Sequence, residues 1–308
     1  MSETTAPVAV VIVTWNSATF IRGCLESLRK LERRPHEVVV VDNASSDGTQ
    51  ALVREQFPEV RLIERGSNAG FCRPNNKGIV ATTSPFVLVL NPDTTLEPRF
   101  LEELLPAFDD PQVGIAAGKL LRFDGVTLDS CGQMLGRSRQ PVDRGFGAKD
   151  RGQFDADAEV FGACGAAALY RRTMLDQIAD GPGQYFDESF FAFYEDLDLA
   201  WRAQRAGWRA AYRHRAVGRH ARGGTSDAAG PRRFTSLLGR PPEIRFLVAR
   251  NRWLTILRND RRRDLLLNLP FVLARDLATF GAIALTSPGV LVRLWRDRGA
   301  FGMARQKG

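Results

Sequence analysis

Over its first 118 residues the chain alternates short apolar, often β-branched runs with stretches in which apolar side chains recur every three or four positions. That alternation predicts a parallel sheet whose strands are joined by crossover helices. Residues 8–14 read as a first strand and 17–31 as a helix, with Ile21, Cys24, Leu25 and Leu28 on one face. A strand at 37–41, a helix at 47–57 and a short strand at 60–63 follow. A helix at 74–82, a strand at 86–90, a helix near 98–108 and a strand at 113–117 complete the series. The wholly apolar runs VVVV and FVLVL predict strands covered on both faces.

Between residues 120 and 159 the pattern dissolves into Gly, Asp and Arg with isolated apolar residues, which predicts hairpins and loops facing a substrate. Order returns at 160–170, followed by a helix after Arg171, another from Glu195 to about Ala206, and two short closing strands at 209–212 and 216–220. Residues 221–242, rich in Gly, Ser, Pro and Arg, predict a mobile loop. Beyond Glu243 the pattern is helical and amphipathic. The expected organisation is an α/β catalytic domain over 1–240 and a helical extension over 241–308. The domain divides into a nucleotide-binding half, 1–118, and an acceptor and catalytic half, 119–240.

Composition sharpens this picture. A chain of 308 residues that is 44% hydrophobic and 25% charged is globular and is neither disordered nor collagenous. Its net charge of +8 is unevenly placed: from Arg232 onward sixteen basic and five acidic residues give +11, which leaves −3 for the rest. The four cysteines, Cys24, Cys72, Cys131 and Cys164, form no CxxC pair, and only three histidines accompany them. A zinc cluster or a disulfide scaffold is thereby disfavoured. The N-terminus reads as a first strand and not as a signal peptide, so a cytoplasmic protein is expected. The stretch 277–292 is interrupted by Thr279, Thr286, Ser287 and Pro288 and falls short of the roughly 20 residues of a spanning helix, so none is expected.

Four polar clusters fall at the carboxyl ends of the predicted strands, where open α/β sheets bind ligands. They are Thr14, Trp15 and Asn16; Asp42 and Asn43; Asn68, Gly70 and Asn76; and Asn91 and Asp93. One acidic residue after a strand is as readily a helix cap as a ligand contact; four clusters on one rim point to a ligand. Neither GxGxxG nor GxxxxGK[ST] is present, which argues against a dinucleotide oxidoreductase and a P-loop nucleotidase. A carboxylate such as Asp42 can accept the imide N–H of uracil or thymine, and asparagines can serve ribose or base edges. A diphosphate would then need a cation, and Asp93 is placed to hold Mg²⁺ or Mn²⁺.

VVIVTWNSATFIRGCLESL, VVVVDNASSDGT, NAGFCRPNNKGI and LVLNPDTTL resemble, in order and spacing, the motifs of family 2 glycosyltransferases of the GT-A fold, especially the bacterial rhamnosyltransferase-like branch. The resemblance covers about residues 1–258. It implies an inverting enzyme using a nucleoside diphosphate sugar and a divalent metal, with dTDP-L-rhamnose the favoured donor and a lipid-linked or polysaccharide acceptor. The usual Asp-x-Asp is here Asn91, Pro92, Asp93, leaving a single carboxylate.

The densest cluster of candidate chemistry is FDESFFAFYEDLDLAWRAQRAGW. Glu195, Asp196 and Asp198 open a helix, where acidic residues also complement the dipole. By the resemblance Asp196 is the general base and Glu195 helps hold the acceptor, while Asp198 and Arg202 are read as structural. The same resemblance makes His220, beside the expected mobile loop, a metal ligand, with His214 the competitor. Arg222 is a candidate clamp on the diphosphate, the alternative being a solvated surface charge. Ala163 and Cys164, in GACGAAALYRR, are weaker candidates for contact with the sugar. The tail combines arginine clusters with Trp253 and Trp295, which suits a helical cap or an anionic membrane surface; no nucleic-acid-binding signature accompanies it. Two rivals are a nucleotidyltransferase, which should carry a Gly-rich basic N-terminal loop, and a catalytically silent membrane-surface protein.

Overall fold

A computed structural model describes residues 5–222 and 239–302. In chain order the first half holds β1 (Ala6–Thr14), α1 (Ala18–Arg29), β2 (Pro35–Asp42), α2 (Thr49–Gln56), β3 (Arg61–Glu64), α3 (Cys72–Val80), β4 (Phe86–Leu90), β5 (Thr94–Leu96) and α4 (Phe100–Leu104). The second half holds β6 (Val113–Leu121), β7 (Leu128–Ser130), β8 (Gln133–Leu135), β9 (Pro141–Asp143), β10 (Ala158–Val160), β11 (Ala167–Arg171), α5 (Arg172–Ile178), α6 (Glu195–Arg205) and β12 (Arg209–His220). Three helices follow: α7 (Pro242–Asn259), α8 (Arg262–Thr286) and α9 (Pro288–Arg296).

The main sheet runs β10-β12-β6-β11-β4-β1-β2-β3, with β5 added to β12 and β7 to β6. The strands β4, β1, β2 and β3 are parallel, as their apolar runs predict. Along β1, Val10 and Ile12 face one core and Val11 faces the other, the period-2 alternation of a strand buried on both sides. Beyond β4 the sheet is mixed, because β11 lies antiparallel between β4 and β6. This insertion brings residues 163–166, which precede β11, to the same rim as the ends of β1, β2 and β4.

Several local expectations change. The two closing strands are one strand, β12, continued through a register shift between Arg213 and Val217. The helix near 98–108 is short and tightens into a 3₁₀ turn from Leu105, because Pro106 has no N–H to continue it. The hairpin region at 120–159 contains β7, β8 and β9. Most of the loop expected at 221–242 lies outside the described residues.

The first helix of the extension is seated on the catalytic half. Asn251 Nδ2 lies 2.8, 2.8 and 2.9 Å from the carbonyl oxygens of Phe190, Ala192 and Phe193. Arg258 donates to Asp187 at 2.6 Å and pairs with Asp180, and Asn259 donates to Asp198 at 2.7 Å. These contacts grip a backbone in which Phe191, Phe193 and Tyr194 all have positive φ, a region that bulky side chains rarely enter.

The next helix, α8, is turned inside out. Its charged mid-helix residue Asp276 is buried and accepts from Arg252 of α7 at 2.8 Å, while Leu266, Leu267, Phe271, Leu273, Leu277 and Leu285 are exposed. Its 25 residues are long and apolar enough to cross a membrane by length and composition, over a stretch that begins before the 277–292 considered above. Neither Pro270 nor the Arg275–Asp276 pair interrupts the helix.

The grip on residues 190–193 should be measurable. Asn251→Ala leaves carbonyls of a strained segment without their donor and should lower unfolding stability by about 1–3 kcal/mol, read from the midpoint and slope of urea denaturation.

Candidate active site

The candidate donor rim is built from strand ends. Thr14, closing β1, donates to Asp42 Oδ1 at 2.8 Å, and Asp42, closing β2, is fully buried. Asp42 also accepts from the Ser45 amide at 2.9 Å, the Ser45 hydroxyl at 2.5 Å and Gln50 at 2.6 Å. A base presenting an N–H to this carboxylate must therefore replace one of these donors, and Ser45 and Gln50 are side chains that can turn away. Asn16, with φ of 50°, accepts from the Ser46 amide at 2.9 Å and so ties the loops after β1 and β2 together.

The other asparagines on the rim shape it. Asn43 donates to Gly70 O at 2.7 Å and Asn68 accepts from the Gly70 amide at 2.9 Å. Gly70 has φ of 76°, and a Cβ there would stand 2.3 Å from Phe191 O, so only glycine lets this loop approach. Asn76 donates to Phe186 O and accepts from Phe186 N, both at 2.8 Å. Its amide thus fixes the segment leading to α6, and both ends of that amide are occupied by backbone.

After β4, Asn91 makes a backbone bond to Ala166 O at 3.0 Å, joining the Asn-Pro-Asp turn to the entrance of β11. Asp93 Oδ1 lies 3.3 Å from His220 Nε2, at the end of β12. His220 Nδ1 lies 2.9 Å from Asp129 Oδ2, and Arg222 Nε donates to Asp129 Oδ1 at 2.5 Å. Burial alone would lower the His220 pKa, but hydrogen bonds to Asp129 and Asp93, together with their charges, raise it to about 9. Burial likewise opposes ionisation of Asp129, yet its bond to His220 and the charges of Arg222 and His220 hold it below the usual carboxylate range. Arg222 also stands 3.6 Å from Asp143 and packs 4.6 Å from the Phe146 ring centre. It is held in a carboxylate cluster and is not a solvated surface charge.

The residues expected to hold a divalent cation suit one. Asp93 and the Nε2 face of His220 converge, and Asp129 occupies the other ring nitrogen, the carboxylate–histidine arrangement that orients an imidazole towards a metal, which would take the place of the Nε2 proton. Among the described residues no group of three or more His, Cys, Asp or Glu is arranged to bind a metal. A cation there would therefore draw its remaining ligands from diphosphate or water, as Mg²⁺ and Mn²⁺ commonly do. The competitor His214 lies 2.7 Å from Asp157 and is not in this cluster.

The pair Glu195–Asp196 opens α6. Asp196 accepts from Gln133 at 2.7 Å, the Gly165 amide at 3.1 Å and the Leu197 amide at 2.8 Å. Burial and the charge of Asp143 raise its pKa against those bonds. Burial and the charge of Asp196 push Glu195 up as well, and Glu195 Oε2 is buried without a hydrogen-bond partner. Asp198, by contrast, is wholly committed to Arg202 at 2.9 Å and Asn259, the structural part expected of it. The thiol of Cys164 is pushed up by burial, which leaves it unsuited to act as a nucleophile.

Three residues of this site were not foreseen: Asp129, Gln133 and Asp143. All lie in the segment 120–159, where no periodicity marks them. The only signal was that Arg222 and His220, if inward, would need buried anions opposite them.

A mixed sheet with a nucleotide rim on its parallel half and a carboxylate pair on a helix beyond the reversed strand defines a GT-A glycosyltransferase. The sequence matches Glycosyl transferase family 2 over residues 9–179, and the chain belongs to that family. It is 29% identical over 227 residues to an N-acetylglucosaminyl-diphospho-decaprenol L-rhamnosyltransferase of Mycobacterium tuberculosis, covering 66% of this chain and 72% of that protein. It is 37% identical over 123 residues to the succinoglycan biosynthesis protein ExoO of Rhizobium meliloti, covering 40% of this chain and 34% of the relative. The fold is shared with a Pyrobaculum calidifontis mannosyltransferase solved with GDP-Man and Mn²⁺, at a TM-score of 0.55 and 19% identity, covering 98% and 86% of the two chains. S. aureus TarS 1–349 with UDP-GlcNAc gives 0.57 and 20%, covering 91% and 76%.

The role of Asp129 as the anchor of His220 can be tested without turnover. Asp129→Asn should weaken Mn²⁺ binding in the presence of a nucleoside diphosphate by about 10–100-fold, measured by titration calorimetry; affinity equal to wild type would remove Asp129 from the site.

Proposed function

We propose that this chain is an inverting, metal-dependent glycosyltransferase that moves L-rhamnose from dTDP-L-rhamnose to a lipid-linked or polysaccharide acceptor in cell-envelope glycan synthesis. The observation that carries the reaction is Asp196, a carboxylate with raised proton affinity held by Gln133 and the Gly165 amide beside the unpartnered Oε2 of Glu195. The named activity of the mycobacterial relative supports the sugar and the lipid-linked acceptor. A UDP-hexose donor is the alternative within the same chemistry.

In this reading Glu195 contacts an acceptor hydroxyl while Asp196 removes a proton from the attacking one. As the acceptor oxygen bonds to the anomeric carbon, the bond from that carbon to the diphosphate oxygen breaks on the opposite face, and configuration inverts. Thr14, Asn16, Asp42 and Asn43 frame the nucleoside, and Arg222 at the loop root stands ready to meet diphosphate charge. Asp93 and His220 would hold Mg²⁺ or Mn²⁺, which supplies Lewis-acid stabilisation of the leaving diphosphate; the Mn²⁺ present with the Pyrobaculum enzyme supports this part of the reading.

The helices at the C-terminus support a peripheral position at the inner face of the cytoplasmic membrane. The exposed apolar side of α8 is flanked by exposed Arg261, Arg262 and Arg263 at one end and by Arg293, Arg296 and Arg298 near the other. That is an apolar strip between two sets of cations suited to anionic headgroups. The buried Arg252–Asp276 pair binds α8 sideways to α7 and favours a helix lying in the interface over one that crosses it.

Asp196→Asn should lower kcat by about 10²–10⁴-fold while donor binding persists; an unimpaired variant would refute the assignment of the base. The base works only when ionised, and its pKa is raised, so kcat/KM should fall as pH drops through a value above the ordinary aspartate range. Asp143→Asn should shift that acid limb to lower pH. A thermal-shift screen of dTDP-, UDP- and GDP-sugars with Mn²⁺ tests the donor, and no stabilisation by any of them would favour a silent binding protein. Leu267→Glu with Leu277→Glu should abolish sedimentation with phosphatidylglycerol vesicles and leave the melting temperature unchanged.

A further inference from the structure

Behind the clamp on the catalytic segment lies an apolar cavity of about 450 Å³, within the range of small-molecule sites. Ala249, Trp253 and Leu257, four residues apart along one side of α7, form one wall; Phe280 of α8 and Leu291 and Leu294 of α9 contribute to the others. The opposite side of α7 carries Asn251, which holds Phe190, Ala192 and Phe193 immediately before the Glu195–Asp196 pair, and Arg250, between the two sides, donates to Ser189 O at 2.7 Å. The cavity and the site are therefore separated by little more than one helix, roughly 10–12 Å across.

We propose that this cavity binds the hydrocarbon chain of the lipid-linked acceptor next to its diphosphate, drawing the acceptor out of the layer in which α8 lies. The inference rests on the lipid-linked reading above and names where that lipid is recognised. A wall without polar groups offers water no partners and suits a hydrocarbon. Phe301 completes the cavity, and α8, which lines it through Phe280, is also the helix whose outer surface exposes leucines between exposed arginines. A hydrocarbon chain seated in the cavity lies against Phe280 of α8, the helix that would meet the bilayer core, with arginines nearby for its anionic head.

The test uses the full-length protein and farnesyl diphosphate as probe, with inorganic diphosphate and lysophosphatidylglycerol as controls, read by titration calorimetry. Wild type should bind farnesyl diphosphate at least about tenfold more tightly than inorganic diphosphate, since several buried methylenes contribute. Leu294→Trp, which fills the cavity, should lose that gain while retaining dTDP binding and vesicle sedimentation. Phe280→Ser, which makes a wall polar, should do the same, so the test survives a folding failure of the first variant. Unchanged farnesyl diphosphate affinity in the folded variant or variants would overturn the proposal. Equal binding of lysophosphatidylglycerol would assign the cavity to bulk lipid, and much tighter probe binding after deletion of residues 303–308 would assign it to the chain's own end; either result also overturns it. Because the readout is binding, a wild type that takes the probe but transfers no sugar would refute the proposed reaction and leave the cavity assignment standing.

Discussion

The catalytic half depends on keeping an unfavourable backbone in place. Phe191, Phe193 and Tyr194 all occupy positive φ, and this is the turn that delivers Glu195 and Asp196 to the N-terminus of α6. Such conformations cost of order 1–3 kcal/mol each and persist only where the surroundings over-determine them. Here they are held from two sides. The nucleotide half supplies the Phe71 amide to Phe191 O at 2.6 Å and the Asn76 amide to Phe186, and α7 supplies Asn251. A glycine at position 70 is the geometric condition for the first contact, since any side chain there would collide with Phe191. The loops after the parallel strands and the Glu195–Asp196 pair are thus mechanically joined through residues 186–193.

A second constraint is electrostatic. Asp93, Asp129 and Asp143 converge with His220 and Arg222 in a largely buried cluster. Isolated burial of any one of these charges would be prohibitive, so each fixes the others. Ordering His220 through Asp129 also aims Nε2 at Asp93, which couples the hairpin region to the turn after β4. Asp143 belongs to that cluster and at the same time raises the proton affinity of Asp196. The cluster around His220 and the Glu195–Asp196 pair therefore share one electrostatic field, and a change in charge at one will be felt at the other.

The parallel half of the fold was legible because covered strands write continuous apolar runs and helices write a 3.6-residue period. The antiparallel placement of β11 was not, since strand direction leaves no local trace and depends on which neighbours lie free at the sheet edge. Within the site, Asp42, Asp93, Asp196 and His220 stood out by position and motif. Asn43 and Asn76 look like ligand groups in sequence, and in the structure their amides bond to backbone groups of Gly70 and Phe186. An amide can serve either partner equally well, and only tertiary placement decides. Asp129 and Asp143 were invisible for the opposite reason, being isolated carboxylates in a segment with no period against which to stand out.

The C-terminal helices show why charge counting along a chain differs from charge placement in space. By composition the tail is simply basic, which suggests attraction to any polyanion. In the structure Arg250, Arg252 and Arg258 are buried and spent on Asp297, Asp276, Asp180 and Asp187, so a sizeable share of that charge never reaches the surface. What reaches it along α8 after the arginines of its first turn is mainly apolar, with Leu277 and Leu285 exposed to 75% and 88%. A helix that buries its aspartate and exposes its leucines is unfavourable in water and favourable where hydrocarbon replaces water. The same Arg252–Asp276 pair that turns the helix this way also fastens it to α7, and α7 fastens the catalytic turn. Insertion of α8 into a lipid layer would therefore fix the orientation of Asp196 relative to that surface through two helices and a short series of buried polar contacts.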